Sequence, residues 1–201
     1  MALERDPLNL IITGVGGQGN VLASQIVASA GIKEGFFVTV GETYGASQRG
    51  GPVMSHVRFS EKAQCSPLIS EGDADIVVGL EPVEALRVIG DFGSPRTKVI
   101  VSPRPIYPIW VLSGQATYPP VEEILQRLRE LVDTVRVVRL SEDGETPPAA
   151  NLLMVGALAA SGMLPIAITS YEKAMSDILT PQDLEVNLEA FRKGVEAFAS
   201  S

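Results

Sequence analysis

The sequence predicts an α/β fold in which a mostly parallel sheet lies between two layers of helices, and three observations carry that prediction. Short, β-branched runs of strand length alternate with helix-like segments along most of the chain. The first strand passes through a glycine-rich turn directly into a helix. The second strand ends in another glycine-rich loop, so two such loops are expected at one edge of the sheet, where α/β proteins place ligands. At 201 residues, one domain covering 1–201 with a substantial core is the natural expectation.

Taken in order, residues 8–13 form the first strand, 14–19 the turn, and 20–33 the first helix. A second strand is expected at 36–40, a loop at 41–52, and a third strand at 53–59. On that third strand, alternation places Val53, Ser55, Val57 and Phe59 on one face and Met54, His56 and Arg58 on the other. Residues 60–72 are polar and turn-like, with room for a short strand at 63–66. A buried strand at 75–80 precedes Pro82, which suits the first turn of an amphipathic helix, and 98–102 reads as another strand. Strands and helices in alternation imply right-handed crossovers. Five prolines between Pro103 and Pro120 argue against a regular helix there. Ile106, Tyr107, Ile109 and Trp110 make this stretch a candidate subunit contact. Beyond it come a helix at 121–132, a strand at 135–140, an acidic turn at 141–147 and a small-residue helix at 148–160. Near the start of that last helix, Asn151 is placed to bond a neighbouring loop. Helices at 169–179 and 180–199 complete the chain, the last announced by Thr180-Pro181-Gln182-Asp183 as cap, proline and acid.

The first loop has the spacing G-x-G-x-x-G at Gly14, Gly16 and Gly19. Glycines there permit a close approach of backbone to ligand, and the free N–H groups of the helix start favour an anion such as phosphate. Glu42, at the end of the second strand, stands roughly where a Rossmann-like dinucleotide fold keeps its ribose-binding acid. A stand-alone nicotinamide-dependent oxidoreductase is therefore one reading, although no catalytic set accompanies it. Tyr171 and Lys173 are too close for the Tyr-x-x-x-Lys arrangement of short-chain reductases. The second loop, Tyr44-Gly45-Ala46-Ser47-Gln48-Arg49-Gly50-Gly51-Pro52, does not belong to a dinucleotide fold. Its Arg49, beside glycines, suits phosphate or carboxylate. A third reading is a structural assembly subunit whose loops touch only protein.

Composition narrows the classes. A net charge of −8 argues against a nucleic-acid binder, which needs a positive surface to displace counterions. No apolar run is long enough to span a bilayer, and residues 1–7 lack a signal peptide's apolar region, so a cytoplasmic location is expected. With a single cysteine, Cys65, no internal disulfide forms and no iron–sulfur cluster is held within this chain. His56 is the only histidine, so a two-histidine metal site is excluded and a cross-strand structural role is expected for it.

Gly14-Val15-Gly16-Gly17-Gln18-Gly19 together with Tyr44-Gly45-Ala46-Ser47-Gln48-Arg49-Gly50-Gly51 resembles the signature of the gamma subunit, or gamma domain, of 2-oxoacid:ferredoxin oxidoreductases. The continuation Ser55-His56-Val57-Arg58, Ser66-Pro67-Leu68-Ile69 and Glu81-Pro82-Val83-Glu84-Ala85-Leu86-Arg87 looks most like the beta subunit of indolepyruvate ferredoxin oxidoreductase. Asn151 with Gly156, and Asn187 to Phe191 with Gly194, resemble the C-terminal pattern of the same family. One departure is Tyr44, where the indolepyruvate branch is expected to carry histidine, which leaves the substrate class open. The resemblance implies a multi-subunit enzyme that decarboxylates a 2-oxoacid oxidatively, forms an acyl-coenzyme A and reduces ferredoxin. Thiamine diphosphate and iron–sulfur clusters are implied on partner subunits, with coenzyme A possible at the subunit boundary. The candidate binding residues are Gly14, Gly16, Gly17, Gln18, Gly19, Tyr44, Gly45, Arg49, Gly50 and Gly51; no catalytic residue or metal ligand is assigned.

Overall fold

The computed structural model describes residues 3–45, 51–139 and 149–199, apart from the side chain of Trp110. The described residues form a six-stranded sheet in the order β2-β3-β1-β4-β5-β6. Its strands are β1 (Leu8–Val15), β2 (Phe37–Tyr44), β3 (Pro52–Ser60), β4 (Ile76–Gly79), β5 (Lys98–Val101) and β6 (Thr134–Val137). β1, β4, β5 and β6 pair in parallel, whereas β3 runs antiparallel to both β2 and β1. β3 is therefore the reversed strand of an otherwise co-directional sheet. It arises because β2 and β3 are joined as a hairpin, with the Gly45 N–H donating to Pro52 O at 2.9 Å. Since β1 and β2 both oppose β3, their C-terminal ends lie at the same edge, as the two loops required.

Seven helices are described: α1 (Asn20–Lys33), α2 (Pro82–Phe92), α3 (Ile109–Leu112), α4 (Val121–Leu131), α5 (Ala150–Ala160), α6 (Ile168–Ile178) and α7 (Pro181–Ala199). The period-two alternation of the strands feeds two cores. Leu10, Ile12, Val57, Phe59, Val78 and Ile100 pack beneath α1, α5, α6 and α7. Ile11, Val77, Val99 and Val101 pack beneath α2 and α4. All eight residues of β1 are buried, as expected for a strand covered on both faces.

α5 and α7 pack almost backbone to backbone. A Cβ placed on Gly156 would lie 2.0 Å from Phe191 O, and one on Gly194 would lie 1.9 Å from Leu153 O. The cap on α7 takes the expected form, the Asp183 N–H donating to Thr180 Oγ1 at 3.3 Å.

Some elements differ from expectation. β2 continues through Gly41 to Tyr44, because Gly41 leaves room for Pro67, whose carbonyl oxygen would stand 2.9 Å from a Cβ there. No strand forms at 63–66; Arg58 instead holds that segment through Ser66 O, Ser66 Oγ and Leu68 O. β6 ends at Val137, and the acidic turn at 141–147 lies outside the described residues.

Candidate functional site

The edge that carries the C-terminal ends of β1 and β4 is where the site is built. The glycine turn after β1 is held by Gln18, which bridges two strands. Its Oε1 accepts from the Val15 N–H at 2.7 Å, and its Nε2 donates to Leu80 O, just past β4, at 3.0 Å. Gly14 leaves room for this arrangement, since a Cβ there would stand 2.5 Å from Gln18 Oε1 and push that side chain off its bonds. Gly19 has φ 81 and caps α1 without a side-chain bond, since glycine has no side-chain oxygen to offer the first N–H groups of the helix. Asn151 on α5 donates its amide Nδ2 to Gly19 O at 3.1 Å, the contact expected of it. A Cβ on Gly19 would stand 2.5 Å from that same nitrogen.

A cavity of about 520 Å³ opens over this turn. Gly16, Gly17, Gln18 and Gly19 form one wall, Ala149, Ala150, Asn151 and Met154 a second, and Arg104 with Ile106 a third. Ala149, like Gly19, is left-handed, with φ 56, and α5 also starts without a side-chain cap. Two uncapped helix starts, each led in by a left-handed residue, therefore meet at one cavity with an arginine on its rim. Each helix start favours an anion by about 0.3–1 kcal/mol, and by up to ~2 kcal/mol where partly buried.

The second loop touches the first. The Gly16 N–H donates to Gly51 O at 2.8 Å, linking the two across the sheet edge. Tyr44 is 59% exposed at the end of β2, and neither it nor Gly45 lines the cavity. Arg49 and Gly50 lie outside the described residues. Gly51 lines a second cavity of about 510 Å³, together with Glu81, Glu84, Arg87, Ile106 and Tyr118. Burial raises the Glu84 carboxyl above its ordinary range, with Arg87 opposing. Burial, then the hydrogen bond to Glu81, raises the Tyr118 phenol.

Three further residues are clarified. The Glu42 carboxylate accepts from Ser24 Oγ at 2.9 Å and from Ser55 Oγ at 2.6 Å, tying α1 to β3. His56, 1% exposed, accepts the Ile69 N–H at Nδ1 (3.3 Å) and meets the Phe92 ring edge-on, a structural role. Cys65 Sγ lies 3.8 Å from Ala63 O. No group of side chains among the described residues is arranged to hold a metal ion, and no described helix is long and apolar enough to cross a membrane.

Arg104 and Ala149 are cavity-lining residues that the motifs did not single out. Arg104 sits in the proline-rich stretch read as a subunit contact, and Glu81 belonged to the pattern at 81–87 without a role being assigned to it. In that stretch Ile106, Tyr107, Ile109 and Leu112 are exposed, and only the single turn α3 is helical.

An α/β sheet with a glycine-lined crevice at its switch in strand order has the layout in which open α/β sheets commonly place ligands. The chain belongs to the pyruvate ferredoxin/flavodoxin oxidoreductase family, whose profile matches residues 9–197. It is 38% identical over 190 residues, 93% of each chain, to the indolepyruvate oxidoreductase subunit IorB of Archaeoglobus fulgidus. The fold matches pyruvate oxidoreductase subunit PORC from Thermotoga maritima with a TM-score of 0.64, at 22% identity, over 96% of this chain and 97% of that one. It also matches the 2-oxoglutarate:ferredoxin oxidoreductase of Magnetococcus marinus, solved with 2-oxoglutarate, coenzyme A and succinyl-CoA bound. That match has a TM-score of 0.62 at 20% identity and covers 98% of this chain and 32% of the other. The resemblance drawn from the two loops and the C-terminal pattern is thus borne out.

Proposed function

We propose that this chain is the subunit without a redox centre in an indolepyruvate-type 2-oxoacid:ferredoxin oxidoreductase. Its cavity at Gly16–Gly19 receives the phosphates of coenzyme A at the boundary with the subunit that carries thiamine diphosphate and the clusters. The complex decarboxylates a 2-oxoacid oxidatively, transfers the acyl group to coenzyme A and passes electrons to ferredoxin. Chemistry resides on the partner, and this chain in isolation is inactive.

The convergence of α1 and α5 on one cavity rimmed by Arg104 carries this reading, because it offers main-chain donors and a fixed positive charge to an anion. The Magnetococcus structure supports it as a coenzyme A-bound enzyme containing a chain segment of this fold. The nicotinamide alternative is disfavoured, since both carboxylate oxygens of Glu42 are already engaged by Ser24 and Ser55. The test is a coenzyme A titration of the assembled complex and of its Arg104→Ala and Arg49→Ala variants. Weaker affinity in the variants is expected; unchanged affinity in both refutes the role given to the arginines.

A further inference from the structure

Glu81 lies just beyond β4, after Leu80, and is 1% exposed, yet it is surrounded by donors from three directions. Its Oε2 accepts the Glu84 N–H at 2.9 Å, capping α2. Its Oε1 accepts the Ile106 N–H at 3.4 Å and the Tyr118 hydroxyl. The strap between β5 and α4 is thus held at two points, twelve residues apart, by one oxygen. Tyr107 and Tyr118 add an edge-to-face contact with centroids 5.2 Å apart. Helix caps favour serine, threonine, aspartate or asparagine, whose short side chains suffice for the task. The extra methylene of glutamate is what lets the second oxygen reach the strap while the first keeps the cap.

Leu80, the preceding residue, is tied to the other side of the site. Its carbonyl accepts from Gln18 Nε2, and its N–H donates to Thr13 O at 2.8 Å. Two consecutive residues at the tip of β4 therefore anchor both the glycine turn and the strap that supplies Arg104 and Ile106 to the cavity. Burial of a carboxyl group away from water is costly unless its oxygens are hydrogen-bonded, and here each accepts at least one bond.

We propose that Glu81 is a positioning residue for the acyl acceptor: by clasping Ile106 and Tyr118 it fixes the wall that carries Arg104 at the distance from the glycine turn that coenzyme A requires. This rests on the reading of that cavity as the coenzyme A site. Releasing the clasp leaves the decarboxylation chemistry on the partner untouched and loosens only the acceptor's seat.

The test uses the assembled complex turning over its 2-oxoacid, with Tyr118→Phe, Glu81→Asp and Arg104→Ala variants. Tyr118→Phe removes the hydroxyl and leaves the ring against Tyr107; Glu81→Asp keeps an acceptor for the cap but is too short for the strap. Both clasp variants are expected to raise the KM for coenzyme A by about tenfold, the worth of one hydrogen bond. The kcat and the KM for the 2-oxoacid stay within about twofold, as for loss of uniform binding. Hydrogen exchange across 104–118 is expected to accelerate. A raised coenzyme A KM for Arg104→Ala alone overturns the clasp and leaves the coenzyme A site standing. No change in any of the three overturns both. A fall in kcat at constant KM, or unchanged exchange in the strap, also overturns the clasp.

Discussion

Replacing Gly194 with alanine offers a sharp test of the α5–α7 packing. The new methyl carbon would sit 1.9 Å from Leu153 O and 2.7 Å from Leu153 C, both main-chain atoms. Non-bonded carbon contacts settle near ~3.5 Å, so the helices must separate by more than ~1 Å. No flexible side chain can yield instead. Alanine gains about 1 kcal/mol over glycine in helix propensity, but overpacking against rigid backbone costs ~3 kcal/mol, the upper part of the usual range. The net loss is about 2 kcal/mol, and in a chain of 201 residues each kcal/mol lowers Tm by ~2–4 °C, giving a fall of ~4–8 °C. Gly90, exposed on α2 with nothing within 4 Å of a Cβ, is the control. There the same substitution is expected to raise Tm by ~2–4 °C, because propensity acts unopposed. Thermal unfolding followed by far-UV circular dichroism reads both. A Gly194→Ala chain that melts at or above the wild type refutes the backbone-contact argument.

Gly17→Ala and Gly19→Ala both force a side chain into left-handed backbone, at about 1–2 kcal/mol each, but only Gly19→Ala also displaces Asn151. Urea unfolding should rank Gly19→Ala as the more destabilised; equal midpoints argue against the Asn151 contact. Asn151→Ala alone should cost about 1 kcal/mol in the same assay, for the lost hydrogen bond to Gly19 O. His56 is held below its ordinary pKa, first by burial and then by Arg58. It is neutral when folded, while the unfolded chain takes up a proton below about pH 6.5. Its contribution to stability is therefore complete above that pH and is lost as the pH falls toward the folded value. His56→Gln should flatten the dependence of Tm on pH on that acid side, and an unchanged slope counts against the burial. NADH fluorescence should not respond to the chain, since Glu42 is engaged; tight binding would revive the dinucleotide reading.

Local chemistry was legible and long-range chemistry was not. The strand–glycine–helix unit, the Thr180 cap and the amphipathic helices follow from neighbouring residues, and their expected positions agree with the structure to within a few residues. The shared edge of the two loops and the reach of Asn151 were also visible in order and spacing. Hidden were features set by distant partners. Gly41 looked like a loop residue, but it is a strand residue made small by Pro67. The loop at 41–52 was expected to join two strands without a helix, and β2 and β3 are paired as a hairpin within the mostly parallel sheet. Glu81 meets Ile106 and Tyr118, which are 25 and 37 positions away. The pattern that contains Glu81 says nothing of these partners, and no local pattern marks an arginine carried to a cavity by a proline-rich strap.

The bond between Asn151 and Gly19 spans 132 residues of chain. During synthesis the glycine turn emerges well before its opposite wall, which lies on α5, 132 positions further along the chain at Asn151. The crevice thus cannot exist on an incomplete polypeptide, and a chain cut short before Ala149 would keep most of the sheet while losing the recess. If the cavity holds a ligand as proposed, capture of that ligand reports that α5 has docked against the glycine turn.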